Sequence, residues 1–270
     1  MTRPSLSVAI ITFNEEKNIR DCIESVNELA DEIVVIDSFS TDKTEAICKE
    51  YPKVIFSQHA FDGHINQKNR ALDACNSEWI LSIDADERVT QELRQSIQDF
   101  LSQIPTDVIA VKFPRLTFHM NKYIRHGGWY PNARYRLVKK GSARWGGENP
   151  HDVLIINGNG SQICGDLIHY SFIDFSDQIN TNNKFSTIMA YTRFAKGKKF
   201  HLYRLFLKPL SKFIETYFLK RGILDGLQGF IISVSAAYSS FTIEAKLFEL
   251  DKLNLKRPSN LPATYREQQD

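Results

Sequence analysis

Cysteine is scarce in this 270-residue chain, and its spacing argues against two kinds of site. The four cysteines, Cys22, Cys48, Cys75 and Cys164, include no CxxC pair. A zinc site or a disulfide framework would place cysteines at recognisable spacings, so both are disfavoured. A reducing cytosol is therefore the expected compartment.

Several targeting and binding signals are also missing. No stretch is apolar over the length that a membrane-spanning helix needs, and 227–241, which comes nearest, is interrupted by polar residues. No signal peptide is visible, which predicts that the protein is not secreted. A net charge of +2 does not indicate a nucleic-acid binder. The absence of GxGxxG after the first predicted strand disfavours a dinucleotide oxidoreductase, and GxxxxGK[ST] is absent too.

The first ninety or so residues alternate between buried apolar runs and amphipathic stretches. Apolar runs at 6–12, 32–37, 53–56 and 79–84 predict β-strands. The stretches between them predict helices, so the pattern is that of βαβ units. We expect an α/β fold, with a mostly parallel sheet covered by helices on both faces.

Polar residues are expected to begin the first two helices. Asn14 follows the first strand and is a good N-cap candidate. Asp42, with Glu45 three residues later, has the pattern of a capping box.

Polar clusters follow three of the predicted strands, at 12–16, 37–40 and 84–86. Ligands bind outside the carboxyl ends of strands in open parallel sheets, so the three clusters predict one site. Asp37 could accept hydrogen bonds from a ribose or a base edge, or equally from its own loop as an Asx-turn.

Asp84 and Asp86 leave a buried strand one residue apart. Two such carboxylates repel each other and need a cation or several donors. Mg²⁺ or Mn²⁺, held by one or two carboxylates together with substrate phosphates, suits this pair. The structural alternative is a strand end followed by an acidic helix start, with Asp86 or Glu87 as the cap.

The middle of the chain holds further candidates. Arg125 and Trp129 flank a glycine-rich loop and suit a sugar ring, although a tryptophan folded over the core explains the pattern comparably well. Glu148 and Asp152 are the only acids of the segment 145–152, and either could be a general base. His169 ends a short strand-like piece, where an ordinary structural histidine is the alternative.

The C-terminal third is predicted to be helical. Residues 196–221 interleave basic and aromatic side chains, a pattern typical of segments that lie on anionic membranes or of core helices whose lysines reach solvent. Residues 256–270 are polar and predict a loose tail. We therefore expect a domain over 1–172, a helical region over 173–255 and the tail.

Several motifs, taken in order, resemble those of the family 2 inverting glycosyltransferases with the GT-A fold. They are Thr12-Phe-Asn-Glu-Glu16, Asp37-Ser-Phe-Ser-Thr-Asp42, Gln67-Lys-Asn69 and Asp84-Ala-Asp-Glu87. Later motifs are similar to those of the bacterial lipopolysaccharide-core glucosyltransferases, the WaaE/KdtX-like group. They are Arg125-His-Gly-Gly-Trp-Tyr-Pro131, His151-Asp152 and His169-Tyr-Ser171. The resemblance covers about residues 6–240.

The resemblance implies a role for each motif within a GT-A fold that has a helical C-terminal extension. Asp86 would coordinate the metal with His169, and Arg125 and Trp129 would face the acceptor. Asp152 would be the general base, although Trp145-Gly-Gly-Glu148 also resembles the base motif of other GT-A enzymes. The residues implied to bind the nucleotide sugar are Thr12, Phe13, Asn14, Glu16, Asp37, Lys68, Asn69 and Asp84.

The implied function is metal-dependent, inverting transfer of a hexose, glucose from UDP-glucose, to an inner-core sugar of lipopolysaccharide. Mg²⁺ or Mn²⁺ would be the cofactor and a lipid-linked oligosaccharide the acceptor. The enzyme would lie on the cytoplasmic face of the inner membrane and contact anionic lipid, with no nucleic-acid partner. The alternatives are a transferase of another cell-envelope glycan, a nucleotidyltransferase and an inactive glycan-binding protein. A nucleotidyltransferase normally has a glycine-rich basic loop after the first strand, and 12–16 is not one.

Overall fold

The computed structural model describes residues 3–148 and 151–255, with the backbone alone described at Glu148 and His151. The chain forms two compact units. The first runs to Leu116 and also includes Asn132–Tyr170; the second comprises Thr117–Pro131 and the chain from Ser171 onward. The sequence predicts a division after residue 172 but gives no sign that 117–131 belongs with the second unit. The expected tail, 256–270, lies outside the described residues.

Thirteen strands are described. They are β1 (Leu6–Thr12), β2 (Glu32–Asp37), β3 (Val54–Gln58), β4 (Trp79–Asp84), β5 (Glu87–Val89), β6 (Val108–Phe113), β7 (Arg115–His119), β8 (Lys122–Ile124), β9 (Arg134–Lys139), β10 (Ala143–Glu148), β11 (His151–Ile156), β12 (Asn159–Gln162) and β13 (Leu167–His169). Seven of them form the main sheet, in the order β12-β6-β9-β4-β1-β2-β3. The pairs among β1–β4 are parallel, whereas β9 runs antiparallel to both β4 and β6. The predicted mostly parallel sheet is confirmed.

Seven α-helices are described. They are α1 (Ile19–Asn27), α2 (Thr44–Cys48), α3 (His64–Ala74), α4 (Gln91–Ser102), α5 (Phe175–Ala195), α6 (Leu202–Ile214) and α7 (Gly226–Lys252). The apolar stripes of α1 and α4 pack on one face of the main sheet. The other face is covered by α3 together with side chains of the β10–β11 hairpin, such as Trp145 and Leu154. The sheet is thus covered on both faces, as the sequence predicts, but a hairpin supplies part of the second layer.

The loops after β1 and β2 bind each other, which overturns one predicted cap. Asn14 has a φ of 56°, and its Oδ1 accepts the N–H of Thr41 at 2.8 Å. It does not cap α1, which begins at Ile19. Asp42 accepts the N–H groups of Thr44 and Glu16, at 3.0 and 2.9 Å. The two loops therefore form one hydrogen-bonded layer at the carboxyl edge of the sheet.

The second unit is built on α5, α6 and α7. Its Glu244 is fully buried, and Oε1 accepts from Arg193 at 2.9 Å and Lys208 at 2.6 Å. These contacts join all three helices, and a buried carboxylate is tolerable only with such partners. Within the described ranges, no helix has both the length and the apolar character needed to cross a bilayer.

Candidate active site

The two aspartates predicted as a site lie at the carboxyl end of β4, but they have different partners. β4 ends at Asp84, and β5 begins at Glu87 and pairs antiparallel with β13. Its register places His169 opposite Glu87, next to Asp86. The Nε2 atom of His169 lies 3.1 Å from Oδ2 of Asp86. The structure thus brings together the two residues that the resemblance assigns to the metal.

Asp84 lies between two cations. Its Oδ1 contacts Nζ of Lys68 at 2.8 Å, and its Oδ2 contacts Nη2 of Arg136 at 3.2 Å. Burial alone would raise the pKa of Asp84, but Lys68 and Arg136 outweigh burial and hold that pKa far below its usual range. Asp84 therefore stays ionised and is tied into a network of charges.

Lys68 also binds Asp152, the predicted base. Nζ of Lys68 lies 2.8 Å from Oδ2 of Asp152 and 4.3 Å from the centre of the Trp145 ring. Burial opposes its charge, but Asp84 and Asp152 raise the pKa of Lys68 overall. One buried ammonium therefore connects the end of β4 with the start of β11.

Asn69 orients the wall of this cluster. Its Nδ2 donates to the carbonyl of Trp145, and its Oδ1 accepts the Trp145 N–H, both at 2.9 Å. The guanidinium of Arg136 lies 5.1 Å from the centre of the Trp145 ring. The family resemblance assigns Asn69 to the nucleotide; in the structure its amide holds β10, and nucleotide contact stays a prediction.

Two buried members of the cluster were missed by sequence reasoning as site residues. Glu87 is fully buried, lies 2.9 Å from Arg136 and 3.5 Å from Arg115, and accepts the N–H of Asp84 at 3.0 Å. Glu87 stands in the Asp84-Ala-Asp-Glu motif, which could have signalled it. Arg136 offers no local signal, because its role depends on the antiparallel pairing of β9 with β4.

The residues assigned to the nucleotide surround the ends of β1 and β2. Asp37 is fully buried and accepts from Thr12 Oγ1 and from the Ser40 N–H, each at 2.8 Å. It is therefore an acceptor for its own loop, which was the structural alternative. Glu16 accepts the N–H of Lys43 at 3.2 Å, whereas the Phe13 ring is exposed. Their contact with a nucleotide stays a prediction.

The predicted acceptor residues, Arg125 and Trp129, belong to the second unit. Buried Asp225 accepts the N–H of Arg125 at 3.1 Å and that of His126 at 2.7 Å, which holds their loop. The Arg125 guanidinium lies 5.2 Å from the centre of the Tyr130 ring, and Trp129 stacks on His119. Asp225 could not be predicted from the sequence as a partner of this loop, because it lies about a hundred residues away in a 3₁₀ turn.

The remaining predictions concern the metal and the second base candidate. The side chain of Glu148 lies outside the described residues. The described chain has no cluster of three His, Cys, Asp or Glu side chains that could hold a metal alone. Asp86 and His169 do supply one oxygen and one nitrogen, a set that fits a divalent cation whose other ligands are substrate phosphate oxygens.

Comparison with known proteins places this chain in a family. Residues 7–156 match the model of "Glycosyl transferase family 2". The lipopolysaccharide core biosynthesis glycosyltransferase LpsC of Rhizobium meliloti is 31% identical over 93% of this chain and 94% of its own length. An uncharacterized glycosyltransferase of Rickettsia typhi, RT0209, is 32% identical over 91% of this chain and 87% of its own length.

Solved structures are less similar overall. Residues 1–349 of TarS from S. aureus, in complex with UDP, align with a TM-score of 0.38 and 26% identity over 44% of this chain and 37% of that chain. The family model spans more than half of this chain, and LpsC matches it over nearly the whole length. The predicted enzyme class and GT-A fold are thereby confirmed: the chain belongs to glycosyltransferase family 2.

Proposed function

We propose that this enzyme transfers glucose, with inversion, from UDP-glucose to an inner-core sugar of lipopolysaccharide, with Mg²⁺ or Mn²⁺ as cofactor. The observation that carries the proposal is that Lys68 contacts both Asp84 and Asp152. Asp86, two residues after Asp84, contacts His169. This arrangement supplies a carboxylate base and a metal-binding pair at one sheet edge. The likeness to LpsC supports the choice of acceptor.

In the proposed reaction, Asp152 takes the proton of an acceptor hydroxyl. Its Oδ2 is held by Lys68, and within the described chain its Oδ1 has no hydrogen bond, so that oxygen can receive the proton. The acceptor oxygen forms the new bond to C1 of glucose as the bond from C1 to the diphosphate breaks. When bound, the divalent cation offsets the negative charge of the departing diphosphate. Asp86 and His169 would hold that cation.

The donor would lie along the ends of β1, β2 and β4. The exposed ring of Phe13 would stack on the nucleobase. Asn14 and Glu16 maintain the loop that presents this ring, through their bonds to Thr41 and Lys43.

The test is a transfer assay with purified enzyme and with lipid core from a strain that lacks the gene. We expect glucose incorporation from UDP-glucose, greater than from UDP-galactose or UDP-N-acetylglucosamine, that stops on chelation and returns with Mg²⁺ or Mn²⁺. The product should be β-linked by NMR, because the donor is α-linked. Incorporation from another donor alone would contradict the choice of glucose. Release of pyrophosphate from UTP and a sugar phosphate, without transfer, would favour the nucleotidyltransferase.

We further propose that the second unit makes peripheral contact with anionic lipid on the cytoplasmic face of the inner membrane, where a lipid-linked acceptor would be met. Helix α6, described throughout, has no buried residue. Lysines and arginines on and after it, such as Lys212 and Arg221, add positive charge to this apolar surface. The exposed apolar side chains of α6 and the turn that follows are Leu202, Tyr203, Phe206, Leu207, Leu210, Ile214, Phe218 and Leu219.

Replacing both Phe206 and Leu210 with serine should weaken binding to vesicles of phosphatidylglycerol and phosphatidylethanolamine, measured by co-sedimentation, by at least about tenfold. The reason is that the variant lacks two of the apolar side chains that would enter the lipid. The matched control is Ile55→Ser, which alters a comparably exposed apolar residue on β3 of the first unit. Binding of the double variant equal to that of the control would refute lipid contact through α6.

A further inference from the structure

Phe39, in the loop after β2, has an unusual backbone conformation for a bulky residue. Its φ is 60°, in the left-handed region. A side chain there crowds the backbone, so this region is mostly left to glycine and asparagine, and an aromatic residue in it is strained. Such strain persists only where neighbouring contacts enforce it, and it is concentrated at ligand-binding sites. The conformation of Phe39 therefore marks it as a candidate functional residue.

Hydrogen bonds of the next residue, Ser40, enforce this conformation. The N–H and the hydroxyl of Ser40 donate to Asp37, at 2.8 and 2.5 Å, which closes the turn around Phe39. The same hydroxyl accepts the N–H of Asn14 at 2.7 Å, which joins the turn to the loop after β1. Glycine would fit the same turn without strain. These contacts account for the backbone at Phe39 but not for its aromatic ring.

The Phe39 ring is exposed, and so is a second ring on the facing loop. Phe39 is 55% exposed and Phe13 is 58% exposed. Phe13 directly precedes Asn14 and Phe39 directly precedes Ser40, so both rings leave the backbone beside the Asn14–Ser40 hydrogen bond. This junction lies at the carboxyl edge of the sheet, where open parallel sheets bind ligands. Exposed rings at this edge suit the planar face of a nucleobase.

Asp37, which the sequence offers as a partner for a base edge, is already saturated. It is fully buried, and its Oδ1 accepts the hydroxyls of Thr12 and Ser40, at 2.8 and 2.5 Å. Its Oδ2 accepts the Ser40 N–H at 2.8 Å and Nε2 of Gln58 at 3.3 Å. An ionised carboxylate has about four acceptor sites, so these four donors leave none for a ligand. A base at this edge therefore meets aromatic rings rather than the carboxylate of Asp37.

We infer that Phe39 is a second residue that holds the nucleobase of the donor, by stacking, beside Phe13. The inference rests on the proposed function, in which a nucleotide sugar lies along the ends of β1, β2 and β4. Stacking on an aromatic ring contributes affinity without reading the hydrogen-bond donors and acceptors of the base. The Phe39 ring thus strengthens nucleotide binding, while the strain of its backbone lowers the stability of the fold.

The experiment measures UDP affinity by calorimetry and the Tm by thermal melting in three variants of Phe39. Phe39→Leu keeps an apolar side chain but lacks the ring, so UDP should bind about 5- to 100-fold more weakly. Phe39→Gly should weaken UDP binding at least as much but raise the Tm by about 2 to 4 °C, because glycine adopts this φ freely. Phe39→Tyr keeps a ring and should bind UDP within about threefold of the wild type.

Two controls separate contact with the base from disturbance of the loop. Ribose 5-diphosphate carries the diphosphate but no base, so Phe39→Leu should bind it as tightly as the wild type does. The matched control variant is Phe194→Leu, which alters a comparably exposed phenylalanine in the last turn of α5. It should leave UDP affinity unchanged.

Wild-type affinity for UDP in Phe39→Leu would overturn the inference. An equal loss of ribose 5-diphosphate binding would do so too, because the contact would then not be with the base. A lower Tm in Phe39→Gly would also overturn it, because the ring would then support the fold.

The same series is measured with CDP, ADP and GDP, which separates the inference from the proposed donor. If the wild type binds one of these and not UDP, the proposed donor fails, while weaker binding of that nucleotide by Phe39→Leu still supports the inference. If the wild type binds no nucleotide, both fail. If UDP binds the wild type and Phe39→Leu equally well, the inference alone fails.

Discussion

Asp86→Asn is expected to lower kcat/KM for glucose transfer by at least about a thousandfold, because metal binding supplies several kcal/mol of transition-state stabilisation. An amide keeps the size of the carboxylate and can still bond to His169 Nε2, 3.1 Å from Asp86 in the structure. It carries no charge, so the cation should be held weakly. Calorimetry should show that UDP binding by the variant no longer strengthens when Mn²⁺ is added. Asp73→Asn, which alters an exposed aspartate, is the control and should behave as the wild type.

Asp84→Asn separates the two aspartates. In the wild type, the carboxylate of Asp84 contacts Lys68 and Arg136. Asp84→Asn should therefore lose about 3 kcal/mol of unfolding free energy at neutral pH as well as activity. The folded-state pKa of Asp84 lies below its unfolded value. Its stabilisation is therefore complete above the unfolded pKa and is lost as pH falls toward the folded one. Full activity in Asp86→Asn would refute the metal role, and an equal loss of stability in both variants would refute the division between them.

The strand ends of the site could be predicted from the sequence because they depend on local patterns. The apolar runs before Thr12, Asp37 and Asp84 form β1, β2 and β4, and parallel pairing puts their ends at one edge. His169 was reached only through a family resemblance. The structure supplies the physical reason, which is the register of β13 on β5.

Other parts of the site depend on long-range pairing that one sequence does not show. Arg136 reaches Asp84 because β9 enters the sheet antiparallel between β4 and β6. Asn14 follows a strand in a pattern typical of a helix cap, but its side chain bonds instead to a loop 27 residues away. A prediction from local sequence takes no account of such contacts, because the hydrogen-bond partner that competes with the helix N-terminus is distant in sequence.

The general base can be assigned by comparing two isosteric substitutions. Asp152→Asn is expected to lower kcat by about a hundred- to ten-thousandfold, the usual contribution of a general base, and to leave UDP affinity nearly unchanged. Lys68 keeps Asp84 as a partner at 2.8 Å, so this variant should remain folded. Glu148→Gln, which removes the other candidate base, should lower kcat less than about tenfold. Both rates are measured with saturating UDP-glucose, which isolates the step after donor binding.

A chemical rescue distinguishes loss of the base from loss of position. In Asp152→Ala, formate can occupy the space of the missing carboxylate beside Lys68 and accept the hydroxyl proton, so added formate should restore part of kcat. The same formate should not rescue Asp86→Asn, whose defect is in metal binding. A larger loss of kcat in Glu148→Gln than in Asp152→Asn would instead assign the role of general base to Glu148. Asp152 would then serve only to hold the start of β11 against the end of β4, through Lys68, which contacts both Asp84 and Asp152.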